Sequence, residues 1–167
     1  PQSVIDRVNE FYTNEFSNTG RSVHYLAVAA TNLYEKTRSS VQKYINAKDK
    51  NEIVFTKGAT EAINLVANTF GQKYLERGDE ILITELEHHS NYVPWHFLRQ
   101  SKGINIEFAE INNDGEITLE SIEKKINSKT KLIAITHLSN VTGAVLPIKE
   151  ITELAHSKGI AVLVDGC

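Results

Sequence analysis

The sequence has a single cysteine, Cys167, which excludes an internal disulfide framework and favours a reducing compartment. No apolar stretch approaches the ~20 residues that a helix needs to cross a bilayer. Residues 1–10 lack the apolar centre of a signal peptide. Positive charge is in short supply too: 18 Lys and Arg against 21 Asp and Glu give a net charge of −3. That balance offers no basic face to nucleic acid or to an anionic membrane. Internal repeats and low-complexity segments are missing. So are HExxH and paired cysteines, which leaves zinc with little support despite the adjacent His88 and His89. What remains is a 167-residue chain, 41% hydrophobic and 23% charged, with the composition of a soluble globular protein. A cytoplasmic location is the expectation.

Periodicity divides the chain into an N-terminal helical segment, residues 1–50, and an alternating region, residues 51–167. In the first, Val4, Ile5, Val8, Phe11 and Tyr12 recur at helical spacing, Phe16 to Val23 reads as a loop, and a second helix is expected from about Leu26 to Asn46. In the second, β-rich runs EIVFT (52–56), EILIT (80–84), INIEFAE (104–110), KLIAIT (131–136) and IAVLVD (160–165) alternate with helical ones. The intervening helices are expected at 59–70, 91–103, 119–126 and 147–159, with a turn at Asn113-Asp114-Gly115. Pro147 sits where a first-turn proline belongs, and Gly159 where a C-terminal glycine belongs. Five apolar strands alternating with helices predict an α/β fold, a mostly parallel sheet covered on both faces. Ligands of such sheets bind beyond the carboxyl ends of the strands.

Chemistry-bearing residues collect at those strand ends. Gly58 permits a tight turn before Ala59 and Thr60 open a helix whose free N–H groups suit a phosphate; a plain threonine cap is the bland alternative. A histidine of the pair His88-His89 could stack on a planar ring or move protons near neutral pH, or merely cap the next helix. Ser139 and Asn140 place side-chain donors in a loop given freedom by Gly143, although such residues often serve the turn itself. Asp165 ends an apolar strand, where a carboxylate is costly unless a cation or donors meet it. A phosphate cradle, a ring-stacking histidine, an amide donor and an acid for a pyridinium together describe a pyridoxal phosphate pocket. The lysine that such a cofactor also needs has no candidate at a further strand end.

The stretches VHYLAVAATNLYEKTR, VFTKGATEAINLVAN, ELEHHSNYVPW, LIAITHLSNVTGAVLP and LVDGC resemble the cysteine desulfurases of the SufS type, a branch of the class V aminotransferase-like, fold type I pyridoxal phosphate (PLP) enzymes. The likeness runs over essentially the whole chain. It implies PLP as cofactor, with Ala59 and Thr60 on its phosphate and His88 stacked on its ring and assisting proton transfer. It further places Asn140 on the ring oxygen and substrate, Asp165 on the pyridine nitrogen, and His24 on the substrate side. Family members often carry threonine where Ala59 stands, so one phosphate hydroxyl would be lost here while the N–H remains.

The implied activity is conversion of L-cysteine to L-alanine, with sulfur held as an enzyme persulfide and passed to an acceptor protein of iron–sulfur cluster assembly. A homodimer is implied as well. The anchoring lysine and the sulfur-accepting cysteine of the family align beyond residue 167, so the resemblance implies an internal piece of a longer enzyme, its PLP-binding large domain incomplete, and inactive alone. Cys167 falls at a position the family fills with a small residue, and is expected to behave as a small hydrophobe rather than as the nucleophile. The alternatives are a selenocysteine lyase or another class V enzyme, and a non-enzymatic α/β module that binds a phosphate compound or a partner.

Overall fold

The structure is a computed structural model that describes residues 1–20 and 23–167. Arg21 and Ser22, within the loop expected over 16–23, lie outside the described residues. The chain divides into two compact units, Pro1–Phe55 and Thr56–Cys167.

The first unit is helical. Helix α1 (Gln2–Glu10) runs into a π-helical turn, Phe11–Glu15. Helix α2 (Tyr25–Tyr44) starts at His24, whose Nδ1 accepts the Ala27 N–H at 3.4 Å. A capping box at Asp49 and Glu52 then closes a 3₁₀ turn, Lys50–Glu52.

The second unit holds the sheet. Helix α3 (Ala59–Val66) continues through a π-helical turn, Ala67–Gly71, into the short α4 (Gln72–Tyr74). There follow β1 (Glu80–Thr84), α5 (Val93–Lys102), β2 (Asn105–Ala109), α6 (Leu119–Lys125), β3 (Thr130–Thr136), α7 (Ile148–Ser157) and β4 (Ala161–Asp165). The four strands of the sheet pair in parallel, in the order β2-β1-β3-β4. Alternation along the central strands builds a core on each face, because successive side chains point to opposite sides. Ile81, Ile83, Leu132 and Ala134 pack with Ile63 and Ala67 of the α3 run and with Trp95 and Leu98 of α5. Leu82, Ile133 and Ile135 pack with Ile122 of α6 and Ile151 and Ala155 of α7. The α/β class, the parallel sheet and its helix-covered faces are therefore as expected.

One expected strand is absent. Among the described residues, 53–56 form no strand pairing, so the sheet has four strands rather than five. The Ile53 N–H is spent on the Lys50 carbonyl, and the Ile53 carbonyl accepts from the Arg38 guanidinium. Val54 is 63% exposed and Phe55 41%, so the apolar pattern here does not report burial in a sheet. Pro147 also stands one place earlier than expected, as the N-cap of α7. Gly159 ends the same helix at φ 71°, the left-handed conformation that favours glycine, and the following Ile160 N–H closes onto the Ala155 carbonyl at 2.9 Å.

Both ends of β1 carry carboxylates. Glu80 is buried, and its Oε1 accepts the Asn127 amide at 2.8 Å and the Thr130 hydroxyl at 3.0 Å. Glu87 stands just past the other end.

Candidate functional site

From β1 the chain crosses to β2 on one side, then returns past β1 to β3 and continues to β4. The reversal falls between β1 and β3, and a crevice beyond the carboxyl ends of strands at such a point is where open α/β sheets bind ligands. Loops after β1, β3 and β4 deliver side chains to that edge.

Asp165, the last residue of β4, is buried at 7% exposure. Its Oδ1 accepts the Cys167 N–H at 3.2 Å, and its carbonyl accepts the His137 N–H at 2.9 Å. It lines a cavity of about 380 Å³ together with Ala59, Ala62, Ile63, Leu163 and Val164. That volume lies within the range of about 300–1,000 Å³ typical of small-molecule sites. Ala59 opens α3, whose N-terminus no side chain caps. Glu61, the acid in that first turn, instead accepts the Lys57 N–H at 2.6 Å. An uncapped helix start and a buried acid thus face one largely apolar cavity. Gly58 is extended, at φ 164°, and a Cβ there would meet nothing within 4 Å. The tight turn expected at Gly58 is therefore not the reason for a glycine. Nor does α3 follow a paired strand. Thr60 is exposed and does not line the cavity.

His88 is exposed and follows β1. Its Nδ1 accepts the Ser90 N–H at 3.2 Å and lies 2.8 Å from the Ser90 hydroxyl. Its ring stands edge-on to His89, centroids 6.0 Å apart. His88 is not part of the Asp165 cavity. His89 lines a second one of about 450 Å³ with Thr84, Glu85, Glu87, Tyr92 and Phe108. Asn140 is exposed in the loop after β3, outside both cavities. Ser139 is buried and serves that turn, its hydroxyl accepting the Val141 and Thr142 N–H groups, each at 3.3 Å. His24 belongs to the first unit, as the cap of α2. Cys167 is exposed rather than buried as a small hydrophobe; its N–H donates to Asp165 and it borders the same cavity.

In the sequence Glu87 stands out only as a carboxylate beside the His88-His89 pair; in the fold its carboxyl shifts upward, chiefly through burial. Its Oε1 accepts the Thr84 hydroxyl at 2.6 Å and the Thr136 N–H at 3.0 Å, so it bridges the ends of β1 and β3 across the reversal point. Its Oε2 accepts the Asn91 amide at 2.6 Å, and Asn91 accepts the Trp95 indole N–H at 3.1 Å. The spacing of 87, 91 and 95 by fours was the available signal, although the structure places Glu87 in the loop after β1, Asn91 at the end of a 3₁₀ turn (His89–Asn91) and only Trp95 in α5.

Residues 1–167 match the family model described as aminotransferase class-V. A probable cysteine desulfurase of Mycolicibacterium paratuberculosis is 47% identical over 166 residues, which is 99% of this chain and 24% of that protein. The apo structure of a cysteine desulfurase from Thermococcus onnurineus NA1 superposes with a TM-score of 0.93 at 38% identity, covering 100% of this chain and 41% of that one. A structure described as SspA in complex with cysteine gives a TM-score of 0.89 at 28% identity, covering 99% of this chain and 47% of the other. The chain thus spans less than half the length of these relatives.

Proposed function

Because the chain belongs to the aminotransferase class-V family, we propose that it forms part of the PLP-binding region of a cysteine desulfurase of the SufS type, acting on L-cysteine and supplying sulfur to an acceptor protein of iron–sulfur cluster assembly. The observation that carries this reading is the cavity shared by Asp165 and the uncapped start of α3. The two ends suit the two polar ends of one cofactor. The first-turn N–H groups at Ala59 and Thr60, with the positive end of the helix dipole, would hold the phosphate. The Asp165 carboxylate would accept from the protonated ring nitrogen, a charge-assisted bond that also satisfies a buried acid. Apolar Ile63, Leu163 and Val164 line the cavity between them. His88 would lie over the ring and move a proton through Nε2, since Nδ1 is engaged by Ser90. Asn140 would donate to the ring oxygen. PLP, when bound, supplies the electron sink for the reaction. The resemblance also implies a homodimer, which we extend to this protein, and its single cysteine supports a cytoplasmic location.

The full-length protein should bind PLP with a visible absorption band and turn over L-cysteine to L-alanine. Asp165→Ala should lower kcat about 10–100-fold, since a bond to a charged group is worth about 1.5–3 kcal/mol and each 1.4 kcal/mol is tenfold. A protein that binds no PLP, or a variant with unchanged turnover, contradicts the reading. A preference for L-selenocysteine in kcat/KM would move it to a selenocysteine lyase.

A further inference from the structure

We propose that Glu87 is the positioning residue for His88: its carboxylate clamps the loop after β1 to the end of β3 and so fixes where the histidine is presented. This rests on the reading of His88 as the ring-facing histidine. The clamp engages the backbone on both sides of His88. Glu87 precedes it directly and is held to Thr84 and to the Thr136 N–H. Asn91 follows three residues later, held to Glu87 by its amide and to the His88 carbonyl by its own N–H at 2.8 Å.

Hydrogen-bond arithmetic makes the carboxylate obligatory. Trp95 and Asn91 are both fully buried, and an indole N–H only donates, so Asn91 must turn its oxygen to Trp95 and its NH₂ to Glu87. The Thr136 backbone N–H likewise only donates. Position 87 must therefore accept on both of its oxygens, which a carboxylate does and an amide cannot. In Glu87→Gln one NH₂ would face either Asn91 or Thr136, donor against donor, and the loop carrying His88 must shift to relieve it. The same arithmetic predicts a rescue. With Asn91→Asp added, the amide introduced by Glu87→Gln can turn its NH₂ toward the new carboxylate and keep its oxygen for Thr84 and Thr136. The other oxygen of that new carboxylate still accepts from Trp95.

The test uses the full-length protein loaded with PLP. Relative to wild type, E87Q should lower kcat about 10–100-fold, as misplacement of a working group by about 1 Å does, with PLP content and KM for L-cysteine within about twofold. Hydrogen exchange over residues 85–92 should quicken, a readout independent of turnover. The E87Q/N91D protein should regain both kcat and protection. In a His88→Asn background, E87Q should cost nothing further in kcat, because Glu87 acts through that ring. Wild-type kcat and exchange in E87Q, failure of the swap to restore them, or additive losses with His88→Asn would each overturn the proposal. If E87Q does not fold, Thr84→Val removes one donor and leaves the carboxylate, and the same loosening of 85–92 is expected in smaller degree; unchanged exchange there overturns the proposal equally. Wild-type turnover in His88→Asn alone would sink the reading of His88, whereas the exchange and rescue results still decide whether Glu87 holds the loop.

Discussion

Burial raises the Glu87 carboxyl above its ordinary range, while the Thr84 hydroxyl, the Asn91 amide and the Thr136 N–H pull it back down. Because the folded value lies above the unfolded one, the folded state binds more protons between the two. The contribution to stability is fully present below the unfolded value and is lost as pH rises through the folded one. The advantage in stability of wild type over Glu87→Gln should accordingly shrink as pH rises through that window, with Glu85 and His89 as the titratable neighbours in the same cavity. Urea midpoints of the two proteins across a pH series check this, and an advantage that grows with pH contradicts it. Asp165 and Glu87 also show what a sequence reveals of a site. Asp165 ends an apolar run, so its burial could be read locally. Glu87 stands in a polar stretch beside two histidines, and its burial depends on an N–H 49 residues away that only the folded sheet supplies.

The same limit governs the elements. The four strands that pair were legible because their apolar residues alternate toward two cores. Residues 52–56 satisfied the pattern equally well, yet among the described residues they join no sheet, since a strand is defined by its neighbours as much as by its own side chains. What holds that segment is Arg38 on α2. Its guanidinium donates to the Ile53 carbonyl and, at 3.0 Å, to the Tyr34 hydroxyl, and it lies 5.0 Å and 5.3 Å from the Tyr34 and Phe55 ring centres. Arg38→Met keeps the aliphatic stem and removes the donors. It should destabilise the protein by about 1.5–3 kcal/mol, the worth of hydrogen bonds from a charged group. Urea denaturation followed by circular dichroism measures the loss, and an unchanged midpoint would show that the segment is held by its apolar contacts alone.

At the scale of the whole molecule, stability is unevenly distributed. Helix α1 buries none of its residues, and Val4, Ile5 and Val8 are each about half exposed. Ile81, Ile83, Ile133 and Ile135, by contrast, are fully enclosed in the centre of the sheet. Local opening follows buried apolar contact. Native-state hydrogen exchange should therefore be fastest along α1 and slowest in β1 and β3. Comparable protection in α1 and the central strands would contradict this distribution.

The two carboxylates flanking β1 have a consequence for register fidelity. Glu80 takes the Thr130 hydroxyl where β3 begins, and Glu87 takes the Thr136 N–H where it ends. A slip of β3 by one residue would turn its side chains to the wrong faces. It would also strand both acids at once, each away from its donors in a buried place. Leaving a desolvated acceptor without its donors costs about 1–3 kcal/mol, so the slipped sheet is penalised twice at sites far apart on the strand. The pair thus pins β3 at both ends although its pairing with β1 shifts by one residue between Glu80 and Ile81, and the crevice beyond the strands inherits that accuracy.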